Sequence, residues 1–376
     1  MKHLGLLLIA IIAVSAVLLP AAYLSSVNQG VKPKDEFFFG VTYGQDTVEG
    51  AKLLIDKVQS YTNVFVVDSM PISNNESELN ADCNYAAAKN LSFFVYFFSL
   101  YGSDWQREWV VTAKQTWGDK FLGVYLRDEP GGRQIDLAEE FNNASSYSEA
   151  SEQYVQAVSN TWSMQFLKEN AIPTVTSDYA LYWFDYQAGF NTIFVELGWN
   201  NNRTEQIALC RGAANVQGKS WGAIITLTYQ QPPYMESAPE TYQDMLTAYD
   251  AGAKYILMFD YANGTQTNQQ GVLTDQYFVA MQQFWNYANA TPRDLPKTQA
   301  QVAFVLPQDY GWGMRNANDL IWGIWPADNT SATIWQNMNS LIDKYGLKLD
   351  IVYEENSTVN FSNYYMKLYF WSQTVN

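Results

Sequence analysis

Histidine is almost absent from the chain: the only one, His3, lies inside the apolar N-terminal leader. Everything downstream has no imidazole, which excludes Ser-His-Asp and Cys-His catalysis, His-ligated zinc and histidine general bases. Carboxylates, Tyr, Lys and Arg remain as acid-base groups. Cysteine is scarce as well. Cys83 and Cys210 fall in segments that read as separate helices, so two buried free thiols are expected. Positive charge is short, with 22 Lys and Arg against 38 Asp and Glu. Nucleic acid and anionic membrane surfaces are therefore poor partners, and a neutral ligand suits the chain better. Nucleotide loops are missing: Gly218-Lys219-Ser220 ends like a phosphate-binding loop, but Ala213 occupies its required glycine position and the segment precedes a strand. Neither a cofactor nor a metal is expected.

Long apolar runs are also missing after Leu24. The leader itself, Leu4 to Leu24, is uncharged and reads as an export signal. It exceeds the ~7 to 15 residues of a usual cleaved apolar region and is long enough to span a bilayer, while Ala21-Ala22 offers a cleavage point. Residues 1–26 are thus a signal peptide or a membrane anchor and 27–36 a tether, with the remainder extracellular or at the cell surface. Membrane contact is expected only through an uncleaved leader. Nine Asn-x-Ser/Thr sequons, at Asn75, Asn90, Asn143, Asn202, Asn263, Asn289, Asn329, Asn356 and Asn360, agree with that side of the membrane. An Asn-rich and Thr-rich chain also produces such triplets by chance.

What the chain has is rings and rhythm. Tyr (26), Phe (20) and Trp (13) are abundant, and amphipathic rings stack on sugar faces as readily as they fill cores. Strand patterns alternate with helical ones through eight repeats, at Phe37 to Tyr43, Asn63 to Asp68, Ser92 to Phe98, Phe121 to Glu129, Pro173 to Asp178, Thr192 to Leu197, Trp221 to Tyr229 and Tyr255 to Tyr261. A long helix is expected through Tyr147 to Lys168. The fold class is α/β. Residues 37–290 match the ~250 of a (β/α)8 TIM barrel; a doubly wound sheet shares the rhythm, but eight regular units favour closure. A linker at 291–301 then leads to a small C-terminal α/β domain at 302–376, with strands at Val302 to Pro307 and Leu347 to Tyr353 and a helix at Ser331 to Tyr345. Its Trp312, Trp322 and Trp325 are expected at the seam with the barrel, or over a sugar site.

Barrel enzymes react at the carboxyl ends of their strands. In Phe121 to Glu129, alternation sends Leu122, Val124 and Leu126 towards the helices and Gly123, Tyr125, Arg127 and Glu129 inward, placing Glu129 at the mouth. The same argument sends Ile193, Val195 and Leu197 outward and Phe194 and Glu196 inward. Asp178 is read on the inward face with Thr174 and Thr176, and Asp68 and Asp260 end two further strands. Clustered carboxylates raise one another's pKa values, so one serves as a protonated acid while another stays ionised, the division of labour that glycosidic cleavage needs. Arg127 is expected to hold a neighbouring carboxylate charged, or to form a structural pair with Glu129. Tyr43, Tyr179, Trp199, Tyr229 and Tyr261, with Asp128 and Asp260, supply the candidate substrate-binding rim.

The tripeptide Asp128-Glu129-Pro130, in this setting, resembles the large group of (β/α)8 glycoside hydrolases in which Asn-Glu-Pro or Asp-Glu-Pro ends strand four. The resemblance covers the barrel and implies that Glu129 is the proton donor. It departs at strand seven, where those retaining enzymes carry a nucleophilic glutamate and this chain reads Ile225-Thr-Leu-Thr-Tyr-Gln230. Glu196 is the expected replacement, with Asp178 next; the alternatives are an inverting enzyme or a barrel that no longer catalyses. A retaining pair stands ~5 to 5.5 Å apart and an inverting pair ~6.5 to 9.5 Å. The expectation is an extracellular glycoside hydrolase-like protein acting on an oligosaccharide or polysaccharide, against a noncatalytic glycan-binding or cell-surface barrel.

Overall fold

The computed structural model describes residues 36–229, 234–259, 273–293, 299–355 and 360–373. The leader and nearly all of the tether lie outside the described residues, as do Gln230, Asp260 and Tyr261. Eight strands alternate with helices: β1 (Phe38–Tyr43), β2 (Val64–Val67), β3 (Ser92–Phe97), β4 (Phe121–Leu126), β5 (Thr174–Asp178), β6 (Thr192–Leu197), β7 (Ser220–Thr226) and β8 (Tyr255–Phe259). They close in the order β1-β8-β7-β6-β5-β4-β3-β2 with every pair parallel, a TIM barrel. Helix starts follow local chemistry: Thr47, Asn75, Ser146, Asn202 and Ser237 each accept a first-turn N–H, and Ser237 forms a reciprocal box with Glu240.

Two apolar layers hold the barrel. The larger lies between strands and helices, where Phe39, Val41, Val124, Leu126, Ile193, Val195 and Leu197 are buried. The smaller fills the interior and is dominated by rings. Phe94, Phe194 and Tyr255 pack at centroid distances of 5.4 to 5.8 Å, mostly edge to face, and Tyr96 meets Tyr125 at 5.2 Å. The interior is thus a plug, and what lies above it at the carboxyl ends of the strands forms a floor rather than a channel.

Several expected details change. The β3–β4 register shifts beside Gly123, whose φ of 140° accommodates an extra residue. Leu122 therefore joins the interior instead of the helix layer, and alternation resumes correctly from Val124. On β5 the assigned face is reversed: Val175 and Ser177 point inward, and Asp178 turns towards the helices. A Thr-Val-Thr-Ser-Asp strand has no apolar side to fix its direction, so only closure of the barrel decides. Tyr43 shares the helix-facing side of β1 with Phe39 and Val41 and lies beside Gly50, not at the mouth. The expected long helix breaks at Asn160 and Thr161 into Tyr147–Ser159 and Trp162–Glu169, Thr161 capping the second. β7 ends at Thr226, and Thr228–Tyr229 pairs with Tyr234–Met235 in a short hairpin.

Beyond the barrel, β9 (Val302–Leu306), β10 (Leu349–Tyr353) and β11 (Lys367–Phe370) form a parallel sheet in the order β10-β9-β11, with the Asn329–Tyr345 helix packed on it. This small sheet docks on the barrel helix Arg203–Val216. Gly212 lies so close to the Ile351 carbonyl that a Cβ would stand 2.5 Å from it. Arg211 Nε donates to Asp350 at 2.7 Å with both side chains buried, and Tyr365 and Asn215 complete the carboxylate's partners. Trp312 and Trp322 are fully buried, and Trp322 packs against Phe141, Tyr154 and Phe184 of the barrel, at the seam. Cys83 and Cys210 are buried free thiols. Among the described residues no helix is long and apolar enough to cross a membrane.

Candidate active site

Glu129 reaches the mouth by a different route from simple alternation. The strand ends at Leu126, and Arg127 and Glu129 then adopt left-handed backbone at φ 52° and 54°. Such conformations cost about 1 to 3 kcal/mol in a residue other than glycine. Pro130 opens the Pro130–Leu137 helix with its fixed φ, and Glu129 is the cap residue, yet its carboxyl makes no bond to that helix. It is free to face the cavity. Further left-handed residues, Trp199 and Asn200, follow the end of β6.

A chain of oxygens connects the acids across the ring plug. Ser177 Oγ lies 2.6 Å from Glu196 Oε1, 2.8 Å from Asp128 Oδ1 and 2.9 Å from the Tyr125 hydroxyl, which itself donates to Asp128 at 2.6 Å. One serine hydroxyl has one proton, so these contacts are all satisfied only when a carboxyl in the group is protonated. Glu196 is 4% exposed, and Glu129 stands close enough for its charge to act on it. Burial, together with the charges of Glu129 and Asp128, raises the Glu196 pKa well above the usual carboxylate range. Burial, then Asp128 and Asp178, raises Glu129 to about 8. The pair therefore shares a proton near neutrality. Burial raises the Asp128 pKa, and the hydroxyls of Tyr125 and Ser177 oppose that shift. Asp68 sits close enough for the Asp128 charge to raise its pKa, after burial.

Asp178 performs a different task from the one expected of it. Its carboxylate accepts the N–H groups of Gly131 at 2.6 Å, Gly132 at 2.8 Å, Tyr179 at 2.7 Å and Ala180 at 3.1 Å. It thereby fixes the first turn of the helix that Glu129 begins. Asp185 lies behind it, taking the Tyr154 hydroxyl at 2.5 Å on one oxygen while its buried Oδ2 has no hydroxyl or N–H donor. Burial and Asp178 push the Asp185 pKa far up, and a proton on that oxygen, donated to Asp178, completes the count. Asp178 is a positioning residue, and β5 supplies Ser177 to the mouth in its place.

Arg127 is corrected as well. It pairs with Glu140 rather than with Glu129, drawn away by its left-handed backbone. Tyr43 is in the helix layer, and the candidates Asp260 and Tyr261 lie outside the described residues. Tyr179, Trp199 and Tyr229 do converge: with Glu129 they line a pocket of about 390 Å³, Trp199 meeting Tyr229 edge-on at 5.2 Å and Tyr179 at 6.4 Å. Volumes of ~300 to 1,000 Å³ are usual for small-molecule sites.

Sequence reasoning missed several supports. Arg315, from the C-terminal unit, enters the pocket wall, bonded to Asp319 and Asp136 at 2.8 Å and lying 5.5 Å over the Tyr179 ring. No local pattern could signal that approach. Glu236 follows the β7 hairpin, but it does not line the Glu129 pocket. It is committed elsewhere: Arg203 contacts it at 3.1 Å and the Tyr234 hydroxyl at 2.5 Å. Arg203 also binds Asp244 and the carbonyls of Gly198 and Asn201, clamping the loop that carries Trp199.

No known family and no curated protein matches the chain in sequence. Solved structures do match in shape. A GH5_18 variant from Bifidobacterium longum subsp. longum ATCC 55813, solved in complex with Manβ1-4GlcNAc, superposes with a TM-score of 0.57 at 11% identity, covering 90% of this chain and 96% of that one. Alpha-L-fucosidase isoenzyme 2 from Paenibacillus thiaminolyticus gives 0.49 at 11% identity, covering 88% and 59%. The β-1,4-D-mannanase of Cryptopygus antarcticus gives 0.43 at 13%, covering 66% and 89%. The chain shares the (β/α)8 barrel fold of the Bifidobacterium protein, and that superposition extends beyond the barrel into the C-terminal unit.

Proposed function

We propose that this protein is a glycoside hydrolase in which Glu129 and Glu196 are the reacting pair. The observation that carries this reading is the placement of Glu129 in a pocket walled by Tyr179, Trp199 and Tyr229, with the buried Glu196 close enough for the Glu129 charge to raise its pKa. Glu129, which lines the pocket, gives its proton to the glycosidic oxygen as the C1–O bond breaks. Glu196, ionised once Glu129 holds the shared proton, bonds to C1. Water then attacks that carbon and returns its proton to Glu129. The disaccharide held by the Bifidobacterium protein supports a carbohydrate ligand for this fold.

We place the protein outside the cytoplasm, at the cell surface or beyond. The uncharged leader supports this, as does the exposure of Asn75, Asn90, Asn143, Asn202, Asn289, Asn329 and Asn360; Asn263 and Asn356 lie outside the described residues. The test of the activity is Glu129→Gln assayed on a panel of oligosaccharides. Turnover should vanish while the melting temperature stays within a few degrees. A wild-type protein that binds these sugars without cleaving any would establish a glycan-binding barrel instead.

A further inference from the structure

Three rings stand in solvent on the β3–β4 side of the mouth. Phe98 and Tyr101, just after β3, are 67% and 75% exposed, and Trp162, the first residue of the Trp162–Glu169 helix, is 42% exposed. Tyr101 and Trp162 are held in place. Tyr101 meets Trp162 edge-on at 6.2 Å, Phe166 stacks on Trp162 at 5.1 Å, and the Arg107 guanidinium lies 5.0 Å over the Trp162 ring. Ser163 Oγ accepts the Leu100 N–H at 2.9 Å and so ties the loop after β3 to the start of that helix.

Phe98 borders a second cavity, of about 330 Å³, that reaches Asp128 and includes the hydroxyls of Ser99, Thr161 and Ser163. The consecutive residues Asp128 and Glu129 thus line different cavities, turned apart by the left-handed backbone between β4 and its helix. The charge in this second cavity is nearly balanced. Arg127 is paired with Glu140, and Arg133 with Glu139 at 2.6 Å, leaving Asp128 as the surplus. An anionic ligand is disfavoured there, whereas a neutral ring with hydroxyls finds both an apolar face and hydrogen-bond partners.

We propose that the Phe98 cavity is a second sugar subsite, so that a neutral glycan chain crosses the Asp128–Glu129 ridge and is cut at an internal bond instead of being trimmed from an end. This rests on the hydrolase reading above. The full-length Glu129→Gln protein, titrated with cello-, manno- and xylo-oligosaccharides of two and six units and followed by tryptophan fluorescence, reads the subsite without turnover. At least one six-unit chain should bind about tenfold tighter than its two-unit counterpart, a difference of about 1.4 kcal/mol. Adding Phe98→Ala should remove that length advantage, while Val279→Ala, at a half-exposed apolar residue on the Asp275–Ala290 helix, should preserve it. The wild-type enzyme should release multi-unit fragments from the six-unit chain at the earliest times. Affinity independent of length, a length advantage surviving Phe98→Ala, or release of single terminal sugars alone would overturn the subsite. Absence of any turnover by the wild type would defeat the hydrolase reading, and the binding titration would still decide the subsite.

Discussion

The two ends of one barrel differ in what the strands deliver to them. At the amino-terminal end lies the larger cavity, about 710 Å³, bordered by Met164, Lys168, Pro173, Asn191 and Lys219, with no acidic residue among those lining it. At the carboxyl end the pocket beside Glu129 is about half that size, at 390 Å³, yet Glu129 and Asp136 line it, and the Ser177 hydroxyl joins Glu196 to Asp128 at the same end of the barrel. Backbone conformation follows the same division. Left-handed Ala171 and Asn90 at the base are ordinary helix exits, whereas Arg127, Glu129, Trp199 and Asn200 sit where strands end, and there the strain sets side-chain direction. Volume alone is a poor guide to function. Convergence of titratable groups and strained backbone is the better one.

The sharpest way to break this contrast is at the mouth. Glu129→Gln should lower turnover by about 10³-fold or more, and Glu196→Gln comparably, with melting temperatures unchanged or slightly raised because a crowded acid is removed; initial rates and thermal melts check this. Asp178→Asn comes next. Its amide would turn an N–H₂ towards the N–H of Gly131 or Gly132, costing about 2 to 4 kcal/mol in urea unfolding and lowering kcat as the helix start loosens.

A smaller effect is the pH dependence of stability. The Glu129 pKa of about 8 in the folded protein lies above its ordinary value of 4.5, so over that window the native state keeps a proton that the unfolded chain has released. Stability should fall as pH rises from 4.5 towards 8 and level off above, and Glu129→Gln should flatten that slope in melts at pH 5 and pH 8. The smallest effect belongs to the base: Lys168→Ala should change stability by less than about 0.5 kcal/mol and leave rates as they are. Loss of turnover there would show that the larger cavity takes part in catalysis.

Glu196 was legible because β6 is unambiguous: Ile193, Val195 and Leu197 mark one face, which forces the glutamate to the other. On β5, polar residues occupy both faces, so Ser177 and Asp178 exchanged places relative to the sequence reading. Arg127 failed for another reason: alternation stops at Leu126, and nothing in Arg-Asp-Glu-Pro announces two left-handed residues. Tyr43 failed because an aromatic residue at a strand end reads equally well as rim or as core, and here the helix beside Gly50 takes it.

By itself the sequence determined the eightfold rhythm, the absence of imidazole chemistry and the concentration of carboxylates at strand ends, because these depend on local periodicity and residue type. Closure of the barrel, a contact across the whole chain, decided which acids touch. It joined Glu196 to Asp128 through Ser177 within reach of the Glu129 charge, assigned Asp178 to a helix start, and brought Arg315 from the C-terminal unit to the pocket wall. Proton sharing is a property of that proximity and burial, which no single segment carries.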